Sequence, residues 1–346
     1  MARSNTVSRA VDRTLTCRQK GGLNMEKSPI FLGAVGGVDG QTGVSLALNA
    51  EHARQRRALG YLFTNSALRQ FENLMKIQVE KFIAVLGKMA DEKQPADLSS
   101  WYPDRDHTDF MYHILINNES KKSLSQTEII LNMALFISAG TDTTATALTG
   151  WTYFVCTHPE VYSRLINEIR GALATEEDVR WEKVKDLRYL EATIHEALRL
   201  FPPSPASQQR IVPRGGATID GYYVPAGMTV AVPPWVSTHS PLNFHNPYEF
   251  RPERWLGEED EFSHDRLNAS LPFGTGPRVC IGRNLAYMEM RLISANLLFH
   301  FDLELDRGEY EAKNDVWGLD GRLKSMKIFH SMTKPELWVR LRKVRA

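Results

Sequence analysis

The chain of 346 residues has little cysteine: Cys17, Cys156 and Cys280, far apart from one another. Three are too few for a disulfide framework, which excludes a small stapled fold and points to a reducing compartment. Net charge is also scarce, since 42 Lys and Arg against 41 Asp and Glu leave a formal +1. That balance gives no case for a nucleic-acid partner or for an anionic membrane surface. No apolar run near the start is long enough for a signal anchor, and no repeat or low-complexity tract is visible. A glycine-rich stretch from Gly33 to Gly43 lacks the Gly-Lys-Ser/Thr ending of a phosphate loop and reads as a plain loop. His195-Glu196 lacks the second histidine of a zincin helix, because position 199 is Arg. The composition, 42% hydrophobic and 24% charged, is that of an ordinary globular chain with a core to bury.

The densest signal is Phe-Gly-Thr-Gly-Pro-Arg-Val-Cys-Ile-Gly, from Phe273 to Gly282. Cys280 stands just before a long amphipathic run, so the spacing puts it at a helix N-terminus, where free N–H groups and the helix dipole favour a thiolate. Gly274 and Gly276 allow a tight loop before it. Gly282, with no Cβ, leaves room for a flat object, and Arg278 brings a cation to it. Thiolate, bare surface and cation together describe a cradle for haem iron with a cysteine axial ligand. The bland reading of the same residues is a buried structural cysteine after a Gly-rich turn.

The second signal predicts a long helix from Ser125 to Thr157, with Ser125 and Glu128 spaced as a capping box. Only Asp142 interrupts its apolar character between Ile129 and Cys156. A membrane span is the alternative, but a carboxylate in its middle is costly. A core helix with a groove at Gly140 fits better, and Thr143 is placed to bond back to the carbonyl of Ala139 and loosen the helix. Asn65 to Leu98 reads as one or two amphipathic helices with Leu74, Ile77, Phe82, Ile83, Val85 and Leu86 at the apolar positions. Pro159–Leu173 and Trp181–Leu200 read as two more, Ile211 to Gly227 as β-hairpins, and the last forty residues as a closing strand pair. Glu51 to Arg57 reads as a short basic helix with His52 and Arg56 on one face. Residues 1–25, with five Lys or Arg against Asp12, read as a disordered N-terminus or a transit peptide.

The decapeptide resembles the cysteine-loop signature of the cytochromes P-450, Phe-x-x-Gly-x-Arg-x-Cys-x-Gly, matching at Phe273, Gly276, Arg278, Cys280 and Gly282. Ala139–Thr144 resembles the family's oxygen-binding motif, Glu196 and Arg199 its Glu-x-x-Arg, and Phe250–Trp255 its later Pro-Glu-Arg segment, all in the family's order. The resemblance implies a mainly α fold with a minor β part, a haem-thiolate domain over 26–346 that is incomplete before residue 125. Set against the family's pattern, the chain is expected to lack the N-terminal anchor and the roof helices over the substrate cavity, with the gap expected between Tyr102 and Pro103. It also implies haem b (iron protoporphyrin IX) with Cys280 as metal ligand. Phe273, Arg278 and Gly282 would hold the cofactor, and His52, Arg56 and Arg210 its propionates, although the family often has Trp where this chain has His52. Asp142 and Thr143 would deliver protons during oxygen activation. Glu196, Arg199 and Arg254 would form a buried structural triad beneath the loop.

The expected function is monooxygenation of a small lipophilic substrate in fungal secondary metabolism. Electrons from NADPH would arrive through a cytochrome reductase, with Arg54 and Arg57 free to face it. The expected location is the cytoplasm or the cytosolic face of the endoplasmic reticulum. The rival expectation is a truncated, non-catalytic haem-binding remnant. Ser204 to Gln208 are candidates for the substrate pocket.

Overall fold

The computed structural model describes residues 25–27, 40–101, 114, 123–206, 208–317, 327–328 and 331–344. The junction at Tyr102–Pro103, the basic stretch 1–24 and most of the glycine-rich stretch lie outside them. The architecture is mainly helical with small peripheral sheets, as the sequence implied. The principal helices are α1 (Asn49–Leu59), α2 (Asn65–Asp91), α3 (Gln126–Thr157), α4 (Pro159–Ala172), α5 (Arg188–Leu200) and α6 (Arg283–His300).

α3 is the axis of the molecule. Ser125 Oγ accepts from the N–H of Glu128, whose carboxylate accepts from the N–H of Ser125, so the expected capping box is formed. Its C-terminal half is buried on every side: Trp151, Tyr153 and Phe154 are at most 2% exposed. Tyr153 stacks on Trp317 at 5.1 Å and Phe154 on Phe250 at 5.0 Å. Each ring so buried contributes roughly 1.5–3 kcal/mol. Gly150 is needed there, because a Cβ would come within 2.5 Å of the Phe201 ring. The N-terminal half is amphipathic instead: Ile129, Asn132 and Met133 are buried, while Ile130 and Ile137 are 61% and 44% exposed. No helix of the described residues is long and apolar enough to cross a membrane.

α6 packs on α2, α3, α4 and α5 and so closes the core beneath the cysteine loop. The expected helix Trp181–Leu200 is divided. A short turn, Trp181–Val184, is followed by extended Leu187 and then α5. The break is stabilised by Glu168 of α4, whose two carboxylate oxygens accept from the N–H groups of Tyr189 and Leu190 at 2.8 Å each, an anionic cap on a helix start. α2 is one helix of 27 residues. Its buried face is Leu68, Phe71, Val79, Phe82 and Leu86, whereas Leu74 and Ile77 are exposed.

The strands are β1 (Glu26–Lys27), β2 (Ala96–Asp97), β3 (Arg210–Ile211), β4 (Ala217–Ile219), β5 (Tyr222–Val224), β6 (Thr229–Val230), β7 (Phe301–Leu305), β8 (Lys327–Ile328), β9 (Met332–Thr333) and β10 (Trp338–Lys343). The expected hairpin forms at β4–β5, where Asp220 and Gly221 turn the chain with positive φ of 49° and 84°, the backbone a two-residue hairpin needs. The expected closing pair within the last forty residues differs: β10 pairs instead with β7, which precedes them, and with β2 on its other edge, while β8 and β9 form only a two-residue pair. β3 lies between β1 and β6, with Lys27 directly opposite Arg210.

Candidate active site

Gly274 and Gly276, with φ of 68° and 72°, make the turns before Cys280 that a Cβ would strain. The N–H of Cys280 donates to the carbonyl of Phe273 at 2.9 Å, closing the loop. α1 holds it from the side: Arg56 donates to the carbonyl of Val279 at 2.6 Å, and Arg278 donates back to Ala47 at 2.8 Å. Phe273 packs on Tyr287 of α6 with ring centres 4.9 Å apart. Cys280 is exposed to the cavity in front of it. Burial by its surroundings raises the thiol's pKa, and this outweighs the N–H groups of Gly282 and Arg283 and the charge of Arg56, which lower it. The helix start therefore acts in the expected direction but does not by itself make a thiolate. A metal ion in the proton's place would.

Ile281, Leu285 and Ala286 also line this cavity, and α3 contributes Ala139, Gly140, Thr143 and Thr144 to it. About 1000 Å³ of free space lies between them, counting the part continuous with solvent. Phe63 and Phe136, edge to face at 5.3 Å, and Leu135 keep it apolar. Thr143 Oγ donates to the carbonyl of Ala139 at 2.6 Å, the back-bond the sequence suggested, although α3 remains continuous through it.

The charged wall is one-sided. Lys27, His52, Arg56 and Arg278 line the cavity, and no Asp or Glu does among the described residues. Burial, with Arg278, Arg56 and Lys27 nearby, lowers the His52 pKa to about 4, so its ring is neutral at pH 7. Burial, with Arg210 and Arg278, lowers Lys27 to about 8. Burial also lowers Arg56 and Arg210. Arg210 itself does not line the cavity; buried, and paired across the ladder with Lys27, it donates to the carbonyl of Gln209 at 2.9 Å. Lys27 was missed in the sequence, since a two-residue strand carries no local signal and only its pairing with β3 brings it here.

Asp142 stands apart from the cavity lining, half exposed, with its carboxylate 3.3 Å from Lys334. Ser204–Gln208 contribute no described residue to the lining. Arg54 is not free: it pairs with Glu51 at 2.6 Å and with Glu128 of α3, while Arg57 is exposed. Glu196, Arg199 and Arg254 meet as a fully buried cluster. Arg199 binds both carboxylate oxygens at 2.8 Å, Arg254 one at 2.8 Å, and the Trp255 ring N–H the other at 2.8 Å. Burial alone would raise the Glu196 pKa, but the two guanidinium groups hold it below the ordinary value.

A flat, dianionic metal macrocycle fits what these residues offer. Gly282 leaves open the place where a Cβ would stand, 4.0 Å from Cys280 Sγ, the wall is cationic on one side, and the thiol is a soft metal ligand. These residues suit a haem–thiolate pocket. Comparison with known sequences agrees: the Cytochrome P450 profile matches residues 99–327. The chain is 45% identical to "Cytochrome P450 monooxygenase aba2" of Botryotinia fuckeliana, over 94% of this chain and 79% of that one. It is 38% identical to the ABA2 protein of Pyricularia oryzae, over 92% and 78%, and 30% identical to astA of Talaromyces wortmannii, over 95% and 80%. This chain belongs to the cytochrome P450 family. The alignment with the Botryotinia protein runs over 416 residues against the 346 here, so that relative carries internal stretches with no counterpart in this chain.

Proposed function

We propose that the chain is a monooxygenase in which Cys280 ligates haem b, and that it inserts one oxygen atom of O2 into a small lipophilic substrate of secondary metabolism. The other atom leaves as water, and two electrons come from NADPH through a reductase. The supporting observation is that Cys280 and Thr143 line one largely apolar cavity together with a group of cations. When bound there, the haem supplies the oxygen activation. Arg56 and Arg278 bind its carboxylates, and neutral His52 contributes a ring N–H donor. Because the Thr143 hydroxyl proton is engaged by Ala139, its oxygen is left to accept from a water and to hold that water over the cavity. Asp142, one residue away on the solvent side, takes protons from bulk water and passes them inward on releasing Lys334. Phe63, Phe136 and Leu135 select an apolar substrate. The expected site of action is the cytoplasm or the cytosolic face of the endoplasmic reticulum.

The test is the absorption spectrum of the reduced, CO-bound protein. A thiolate-type Soret band that is lost in Cys280→Ser supports the assignment; a histidine-type band, or no bound haem, removes it. A second reading is favoured by the internal stretches absent relative to the Botryotinia protein and by the exposed Ile130 and Ile137 on α3. In that reading the haem binds but water reaches it, and reducing equivalents are lost as peroxide. NADPH consumption with peroxide and no oxidised product decides for it.

A further inference from the structure

The chain enters α1 through a strap, residues 41–47, two of which, Val44 and Ser45, line the cavity. Two buried amides fasten this strap. Asn132 of α3 accepts from the N–H of Val44 at 2.8 Å through Oδ1. Its Nδ2 donates to Gln55 Oε1 at 3.1 Å and to the carbonyl of Glu128 at 2.7 Å. Gln55 of α1 donates in turn through Nε2 to the carbonyl of Thr42 at 2.8 Å and to Glu128 Oε1 at 3.0 Å. Turning either amide over would set donor against donor at Val44 or acceptor against acceptor at Thr42, so the network admits one orientation. Neither an apolar residue nor a carboxylate at position 132 offers that pairing of donor and acceptor.

Gly43 lets the strap lie against α3, since a Cβ there would stand 3.4 Å from Asn132 Oδ1. The carbonyl of Gly43 closes the turn, accepting from the N–H groups of Leu46 and Ala47 at 3.1 and 3.0 Å. At its far end the carbonyl of Ala47 accepts from Arg278 of the cysteine loop at 2.8 Å. The strap is thus tied to α3, to α1 and to the cysteine loop. Asn132, Ala139 and Thr143 recur at i, i+7 and i+11 on α3, one stripe of the helix, and the last two line the cavity. Asn132 and Gln55 do not line it themselves.

We propose that Asn132, acting with Gln55, is a positioning residue for the substrate: it holds Val44 and Ser45 in place so that the apolar part of a ligand meets a wall already ordered. This rests on the monooxygenase reading above. A ligand that packs on an ordered wall does not bear the cost of ordering it.

The experiment compares wild type, Asn132→Leu, Gln55→Met and Thr149→Val, the last a buried control on α3 whose hydroxyl bonds only to Ala145 of its own helix. Binding of imidazole and of 1-phenylimidazole to the haem-loaded proteins is read from the Soret shift, and hydrogen exchange is followed at the Val44 amide. Asn132→Leu is expected to weaken 1-phenylimidazole about tenfold and imidazole by less than about twofold. Exchange at Val44 is expected to quicken about tenfold. Gln55→Met moves both readouts the same way by less, and decides the matter if Asn132→Leu does not fold; Thr149→Val moves neither. Equal losses for the two ligands, or the same selectivity change in Thr149→Val, show that the amides serve only the fold and overturn the proposal. Unchanged binding and exchange overturn it too. A wild-type protein that takes up no haem removes the parent reading and this one with it, whereas haem bound with unaltered selectivity in the variants removes only this one.

Discussion

Two groups of charges lie in this molecule with opposite balance, one fully buried and one half-buried. Beneath the cysteine loop, Glu196 sits between Arg199 and Arg254, with both oxygens bonded and a tryptophan N–H added. At the cavity wall, Lys27, Arg56 and Arg278 share space with a histidine held neutral and with no described carboxylate. The first group pairs opposite charges inside the chain, and the second gathers charges of one sign. Buried charge that is paired on the spot fixes geometry, whereas a wall of one sign favours a ligand of the other.

The comparison is broken most directly at Glu196. Glu196→Gln removes the carboxylate shared by two fully buried arginines, leaving Arg254 with Asp265 and Arg199 with backbone carbonyls, and is expected to cost about 3–5 kcal/mol, read as a fall in the urea midpoint at pH 7. Because its folded pKa is lowered, the carboxylate's contribution is present above the ordinary value of 4.5 and is lost as pH falls below it. A cost under about 1 kcal/mol would show that the cluster is not held by charge.

His52 tests the other group by pH. With a folded pKa of about 4 against 6.5, both states are neutral above pH 6.5, and there the residue contributes no pH dependence. Between 6.5 and 4 the unfolded chain takes up a proton that the folded chain refuses, so stability falls as pH falls. His239 is lowered to about 4 by burial and contributes in the same window. The informative quantity is therefore the wild-type slope minus that of His52→Gln. It is expected to integrate to on the order of 1–2 kcal/mol, discounted for solvent. Identical slopes would place the ring in a wetter setting than the cavity wall.

Lys27→Gln carries the opposite sign from Glu196→Gln, which sharpens the comparison most. The haem-free protein is expected to gain up to about 1 kcal/mol at pH 7, because a like charge leaves the cluster. Since the folded pKa of Lys27 is about 8 against 10.5, the wild-type penalty is fully present below pH 8. It fades as pH rises towards 10.5, and the two proteins converge there. A destabilised variant at pH 7 would mean that the amine is already compensated.

What the sequence made legible follows the same division. The Glu196 cluster, the Phe273–Gly282 loop and the Ser125 capping box are written in short spacings, where each residue's partner is a few positions away or in a neighbouring motif. Long apolar periodicity located α3, α4 and α6. The break before α5 was hidden because the side chain that stabilises it, Glu168, belongs to another helix. Leu74 and Ile77 fit the helical period of α2 yet face outward, since periodicity identifies an apolar stripe but not its partner. Arg54 was judged free because its acceptor Glu128 lies on α3. Lys27 was invisible for the same reason, its place being set by a strand pairing 183 positions along the chain, with Arg210.

The smallest effect separates a surface contact from a proton path. Lys334 and Asp142 are 3.3 Å apart, and Asp142 is 49% exposed, so the pair is worth roughly 0–1 kcal/mol. Lys334→Ala is expected to leave the urea midpoint within that range. If Asp142 gathers protons for the water held at Thr143, freeing it from Lys334 changes how reducing equivalents are partitioned, and the ratio of oxidised product to peroxide moves while stability does not. Asp142→Asn, which removes the proton carrier itself, should lower that ratio, with the same small effect on unfolding. Should both variants keep the wild-type ratio, the carboxylate is a surface group, and proton delivery belongs to Thr143 and water alone.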